Sequence, residues 1–169
     1  MKSCLLFVAA ALTGFAAQAH VTLDPAVATA GSTYKAVLRV GHGCEGGLAT
    51  KALVVRLPEG FTGAKPVPKP GWRIALQRDA ATQAVTEISW TAKTPDDELD
   101  DAFYDEFIVR GRLPGQAGPL WFKVRQVCNG VTADWSQTPA GGSSTAGLKS
   151  PAALLDVQPA TNTETPHHH

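Results

Sequence analysis

The sequence predicts an all-β domain in which two sheets pack against each other, and three observations support this prediction. Short runs rich in Val, Ile, Leu, Thr and aromatic residues recur along the chain, separated by breaks that contain Gly or Pro. Several runs alternate between apolar and polar residues, as strands with one buried face do. No segment shows a sustained helical period. The pattern is typical of a single-domain β-sandwich of the immunoglobulin or cupredoxin type.

The predicted strands are short, and the turns between them come at intervals that suit a sandwich. Alternation is clearest in residues 34–40 (YKAVLRV). The pair Asn129-Gly130 lies between two β runs and predicts a hairpin, which would place Cys128 and Trp135 on neighbouring strands. The predicted strands, in chain order, span residues 20–23, 33–40, 50–57, 72–77, 84–92, 104–112, 120–128, 131–135 and 152–157.

The first 19 residues have the layout of a secretory signal peptide. Lys2 supplies the positive start, residues 5–17 are apolar, and the segment ends in small residues at Ala19. Cleavage after Ala19 would make His20 the first residue of the mature protein. The apolar stretch is shorter than the roughly 20 residues that a membrane-spanning helix needs. We therefore expect a periplasmic or secreted protein without a stable membrane anchor.

Residues 20–158 suit one domain of ordinary size, and residues 159–169 are polar and predicted to form a disordered tail. The full chain has 15 basic and 15 acidic residues, and the leader removes only Lys2, so 14 basic and 15 acidic residues remain. A chain this close to neutrality has no electrostatic reason to bind nucleic acid. The acidic stretch at 96–101 lacks the spacing of a calcium loop and is interpreted as a solvated loop.

Cys44 and Cys128 are the two cysteines that remain after the leader. In an oxidising compartment, two lone cysteines most simply form a disulfide. Closing a loop of this length stabilises a protein by about 4 kcal/mol in the chain-entropy model. The alternative is a two-thiolate metal site, which needs reducing conditions or protection by the metal.

The placement of the histidines points to a metal. Three of the five form the chain end, residues 167–169, and the domain contains only His20 and His42. An N-terminal histidine offers its α-amine and its ring Nδ1, which can chelate one ion, and planar nitrogen ligands favour Cu(II). His42 lies in a glycine-lined turn and would add a second imidazole. The alternatives are chance exposure of His20 by cleavage and a loop histidine at 42 that binds nothing.

Methionine and tryptophan refine this reading. Met1 is the only methionine, so the mature chain has no thioether for Cu(I) or for a blue-copper axial position. This favours Cu(II) storage or delivery over electron transfer. We expect Trp72, Trp90 and Trp121 in the core, because they lie in apolar contexts. Trp135 is placed near the metal, with core packing as its alternative.

Several separated segments of the chain together carry a resemblance to a known family: residues 20–25 (HVTLDP), 30–32 (AGS), 70–72 (PGW), 103–107 (FYDEF), 113–114 (LP), 127–128 (VC) and Trp135. They occur in the same order as in the YcnI-like family of exported copper-binding proteins, which this chain resembles from His20 to about Val157. The resemblance implies a cupredoxin-like β-sandwich, a Cu(II) site built on His20, and a metal-proximal tryptophan at Trp135. It also implies a copper chaperone or carrier, not an enzyme, that serves a copper transporter or cuproprotein.

The chain departs from this family at one position that bears on the metal. Better-known members complete the site with a glutamate, and Gly43 occupies the aligned position here. The neighbouring candidates are His42 and Glu45. We favour His42 because imidazole is the stronger Cu(II) ligand, and keep Glu45 as the alternative. The predicted disulfide would hold this loop beside the Trp135 hairpin.

Two functions from other classes remain open at this point. One is a copper monooxygenase acting on polysaccharide, because such enzymes also use an N-terminal histidine brace. No axial tyrosine or phenylalanine and no flat aromatic surface are evident in the sequence to support it. The other is a β-sandwich interaction module in which His20 has no metal role.

Overall fold

A computed structural model describes residues 20–160, and within them the backbone forms eleven strands and one short 3-10 helix. The predicted signal peptide and residues 161–169 of the predicted tail lie outside this range. No helix in the range is long and apolar enough to cross a membrane. The elements are β1 (Thr22–Asp24), β2 (Val27–Thr29), β3 (Thr33–Val40), β4 (Thr50–Arg56), β5 (Thr62–Pro66), β6 (Trp72–Arg78), β7 (Val85–Ala92), the 3-10 helix (Pro95–Asp97), β8 (Asp105–Arg112), β9 (Gly118–Cys128), β10 (Thr132–Trp135) and β11 (Ala153–Gln158).

The strands form two sheets that face each other. The first has four strands in the order β1-β3-β8-β5, all antiparallel. The second has seven strands, with the path β2-β11-β9-β4-β7-β6 and β10 paired to the C-terminal half of β9. The predicted hairpin at Asn129-Gly130 is confirmed as the turn between β9 and β10. The all-β, single-domain prediction is also confirmed.

The core follows from the two-residue period of the strands. On β9, Phe122 and Val124 are fully buried, whereas the alternate residues are more exposed. Trp72 and Trp90 are buried, at 7% and 0% exposure, as predicted. The expectation that Trp121 belongs to the core is wrong, because it lies in the outward phase of β9 and is only half-buried.

The N-terminal segment connects the two sheets. β1 pairs with β3 in the four-stranded sheet, and after the cis Asp24-Pro25 bond β2 pairs in parallel with β11 in the other sheet. The Tyr34 hydroxyl donates a 2.6 Å hydrogen bond to the Pro25 carbonyl. Burial, and secondarily the Asp24 charge, raise the pKa of Tyr34. This arrangement holds His20, two residues before β1, at the border between the sheets.

Two strands and one anchored loop differ from the sequence-based prediction. β2 has three residues, and the edge strand β5 contains Gly63 and Pro66 and has a register shift, so neither shows clear alternation. The stretch at 96–101 is not simply a solvated loop. Leu99 is buried and exchanges two backbone hydrogen bonds with Thr50, of 2.8 and 2.9 Å.

Candidate metal centre

His20 is held by its neighbours before any metal is considered. The next residue, Val21, is 3% exposed and packs in the core, which fixes the backbone beside His20. The His20 ring is half-buried and packs edge-to-face against Trp135, with ring centroids 5.4 Å apart and an interplanar angle of 78°. Its Nε2 is enclosed and lacks a hydrogen-bond partner, the one side-chain nitrogen or oxygen within residues 20–160 in that state.

Trp135 ends β10 on its inward face. It pairs across the hairpin with Val124 and is 8% exposed, so it belongs to the core as well as touching His20. Its indole Nε1 donates a 3.4 Å hydrogen bond to Oε1 of Gln126. Of the two environments predicted for Trp135, core packing is confirmed, and the ring also contacts His20. A role beside bound metal stays a prediction.

His42 and Glu45 lie in the loop between β3 and β4. The His42 ring is half-buried, and its Nδ1 contacts the Gly43 carbonyl. A carbonyl only accepts, so Nδ1 is the donor in this contact. Glu45 is exposed in the turn that the Cys44 and Leu48 backbones close with hydrogen bonds of 2.9 and 3.3 Å.

The backbone around Gly43 leaves no room for a side chain at the position of the family glutamate. A Cβ built there would lie 2.2 Å from the Leu48 carbonyl oxygen. The Gly43 N–H donates a 2.7 Å hydrogen bond to Oδ1 of Asp101. A glutamate at 43 therefore does not fit this loop, and any further ligand from the loop must come from a neighbouring residue.

The predicted disulfide between Cys44 and Cys128 is confirmed, with Cα atoms 6.2 Å apart and a sequence separation of 84. It joins the loop that carries His42 to the end of β9, next to the hairpin that carries Trp135. Both sulfurs are bonded to each other, so the alternative of a two-thiolate metal site is wrong for this form of the protein.

Gln126 is a residue of this region that sequence reasoning missed. It is 0% exposed and lies on β9 between the hairpin and the His42 loop. Its Nε2 donates to the His42 carbonyl at 2.8 Å and to Oγ1 of Thr50 at 2.7 Å. A signal was present in the sequence, because Gln126 falls in the inward phase of an alternating strand whose other inward residues are apolar or cysteine.

An open groove of about 480 Å³ gives solvent access to this end of the molecule. It runs between β1 and β11, beside His20, and its walls include Thr22, Arg39, Ala153 and Asp156. Within residues 20–160, no three side chains of His, Cys, Asp or Glu come close enough together to hold a metal by themselves. His20 offers two nitrogens only when the chain is cut before it, because its α-amine is otherwise part of a peptide bond.

Comparison with known proteins places the chain in a family. It is similar to the solved structure of an uncharacterized protein from Nocardia farcinica described as having an immunoglobulin-like fold, with 27% identity and a TM-score of 0.69. That match covers 82% of this chain and 97% of the other. A type II cohesin domain from the cellulosome of Acetivibrio cellulolyticus aligns with 12% identity over 80% of this chain and 92% of its own. Its TM-score of 0.37 is too low to indicate a shared fold.

No curated protein matches the chain. Its sequence matches the family described as Domain of unknown function (DUF1775) over residues 20–157, which is nearly all of the part that the structure describes. This is the domain family that includes the YcnI-like proteins. The chain therefore belongs to the DUF1775 family, and it has an immunoglobulin-like β-sandwich fold.

Proposed function

We propose that the protein, once cleaved before His20, binds Cu(II) in the periplasm and acts as a copper chaperone or sequestering carrier. The observation that carries this proposal is the state of the His20 ring. Its Nε2 is enclosed and has no hydrogen-bond partner, and the nitrogen that can chelate together with the α-amine is the other one, Nδ1. The α-amine and Nδ1 of one histidine close a six-membered ring around a metal, and such nitrogen ligands favour Cu(II).

A third ligand would come from the loop between β3 and β4. We favour His42, because imidazole is a stronger Cu(II) ligand than a carboxylate. Glu45 is the alternative, since its exposed carboxylate lies in the same turn. The disulfide and the Gln126 amide hold this loop in place, which supports a site assembled from the loop and the chain start.

A carrier role fits these ligands better than an enzymatic one. The site would draw on the chain start and a surface loop, with the groove beside His20 open to solvent. Such ligands can be exchanged one at a time when a partner offers its own. The partner would be a copper transporter or cuproprotein whose ligands outcompete a terminal histidine for the ion.

The first test is a Cu(II) titration of protein that begins at His20 and ends at Gln158, followed by electron paramagnetic resonance. Ending at Gln158 removes the terminal histidines, which could bind copper on their own. We expect one equivalent of type 2 copper with nitrogen hyperfine structure. His42→Ala and Glu45→Ala are compared, and the variant that weakens binding and alters the signal identifies the third ligand.

The matched control is the same protein with the α-amine of His20 acetylated. This converts the amine into an amide, adds no new terminal amine beside the ring and changes no side chain. The proposal predicts loss of the one-equivalent signal in the acetylated protein. If both proteins bind copper equally, or neither binds it, the site does not use the N-terminal histidine and the proposal is wrong.

A further inference from the structure

Gln126 is a fully buried polar side chain placed between the two parts of the chain that would hold the metal. It is 0% exposed, one of two polar residues buried to this degree within residues 20–160, and the other is its partner Thr50. A buried amide is costly unless its hydrogen bonds are made. Here the amide oxygen accepts one hydrogen bond and the amide nitrogen donates two.

The partners of the amide allow only one orientation. The Trp135 indole is a donor only, and it meets Oε1 at 3.4 Å. The His42 carbonyl is an acceptor only, and it meets Nε2 at 2.8 Å. Rotating the amide by half a turn would face donor against donor and acceptor against acceptor. Among common side chains of this length, only glutamine satisfies both partners, because glutamate would place a second acceptor against the His42 carbonyl.

The two partners belong to the two parts of the chain that would hold the metal. The Trp135 ring is the surface against which His20 packs, at 5.4 Å between centroids. The His42 carbonyl belongs to the loop that would supply the third ligand, and Thr50 begins the strand that follows this loop. The Gln126 amide therefore links the Trp135 indole, against which His20 packs, directly to the His42 loop.

We propose that Gln126 is a positioning residue of the metal centre, which sets the Trp135 indole and the His42 loop at the spacing that one ion requires. This rests on the proposed function, since it assumes that His20 and the loop share a metal. Gln126 does not touch the ion. Residues that orient ligands from behind typically change metal affinity by about 10- to 100-fold when they are replaced.

The test uses Gln126→Met, which keeps the length of the side chain and removes its hydrogen bonds. Cu(II) affinity and the electron paramagnetic resonance signal are measured in the protein that begins at His20. The indole N–H resonance of Trp135 is measured by NMR in the metal-free protein. The chain has four tryptophans, and loss of one resonance in Trp135→Phe identifies the right signal. We expect a shifted resonance, about 10-fold weaker copper binding and an altered copper spectrum.

Phe122→Leu is the matched control. Phe122 is also 0% exposed and inward-facing on β9, but its aromatic contact is with Phe61 on the far side of the core. It should lower stability while leaving the Trp135 resonance and the copper spectrum unchanged. Thr50→Val serves as the second variant if Gln126→Met does not fold. It removes one acceptor of the amide and should change both readouts in the same direction by a smaller amount.

The outcomes separate this proposal from the proposed function. If the parent protein binds copper and Gln126→Met binds it with the same affinity and spectrum, Gln126 is structural only and the inference is overturned. An equal change in Phe122→Leu overturns it too, since general destabilisation would then explain the effect. If the parent protein binds no copper, the proposed function fails together with the metal role of Gln126, although a shifted Trp135 resonance still shows that the amide sets the indole.

Discussion

At the scale of single residues, Gly43 has a property that its neighbour Gly41 lacks. A Cβ on Gly43 would come within 2.2 Å of the Leu48 carbonyl oxygen, whereas a Cβ on Gly41 would meet nothing within 4 Å. The close approach at Gly43 allows the turn to close between Cys44 and Leu48. The tight packing of the His42 loop thus depends on the absence of one side chain.

Gly43→Ala should destabilise the protein by about 1–3 kcal/mol, because the backbone of the turn must move to admit the methyl group. Gly41→Ala should change stability by less than about 0.5 kcal/mol, since the new methyl group enters open space. Urea unfolding of the two variants measures the difference. Equal midpoints for both would show that the loop accommodates a side chain at 43.

The hydroxyl of Tyr34 connects the core to the segment between β1 and β2, where the chain passes from one sheet to the other. The hydroxyl donates to the Pro25 carbonyl at 2.6 Å, and Tyr34→Phe should cost about 1 kcal/mol at neutral pH. Burial raises the pKa of Tyr34 above its ordinary value of 10.0, so the folded state keeps a proton that the unfolded chain releases. The stability from this difference is complete below pH 10.0 and is lost as pH rises above it.

The alkaline prediction is checked with the second tyrosine as the control. Tyr104 is exposed, and the chain has two tyrosines, so Tyr104→Phe leaves Tyr34 as the single source of tyrosinate absorbance. In that variant, tyrosinate should form only together with the loss of folded structure seen by circular dichroism. Tyrosinate formation in a fully folded protein near pH 10 would contradict the prediction.

At the scale of elements, alternation in the sequence identified the long, half-buried strands. The bounds predicted for β3 match the structure, and those of β8 differ by one residue, because each has one face against the core over its whole length. Alternation gives no signal for a three-residue strand or for one interrupted by glycine and proline. For that reason β2 and β5 were missed.

The candidate site was predictable only in part. His20, Trp135 and the cysteine pair stand out by position and by rarity of residue type, and the contact of His20 with Trp135 supports reading them together. Gln126 and Asp101 do not stand out in the sequence, because each acts by a hydrogen bond to the His42 loop, and that loop is distant from both in sequence. A buried amide is recognised from sequence only when the inward phase of its strand is already certain.

The disulfide links two elements, and its removal should affect stability more than any single hydrogen bond. Cys44 and Cys128 are 4% and 1% exposed, and their sequence separation is 84. Replacing both by alanine should lower the free energy of unfolding by about 4 kcal/mol in the chain-entropy model. Urea unfolding of the oxidised parent and of the double variant measures this change. An unchanged midpoint would mean that the loop and β9 hold each other without the covalent bond.

At the scale of the whole molecule, the segment that follows His20 is part of the sandwich and not an appendage. β1 completes one sheet and β2 borders the other, so the segment that follows His20 crosses between them. The proposed third ligand lies in a loop fastened to β9 by the disulfide. An ion shared by His20 and this loop would connect parts of the chain that unfolding separates. Copper binding should therefore stabilise the whole domain.

The protein that begins at His20 and ends at Gln158 should gain at most about 2.7 kcal/mol of stability at a free Cu(II) concentration one hundred times its Kd. The gain is reduced by whatever copper the terminal amine and ring of His20 still bind in the unfolded chain. The same protein with the α-amine of His20 acetylated should gain almost nothing. Thermal unfolding with and without copper, followed by circular dichroism, compares the two. Equal stabilisation would place the ion elsewhere on the molecule, while stabilisation of the His20 form alone would show that the terminal amine binds the metal as part of the folded domain.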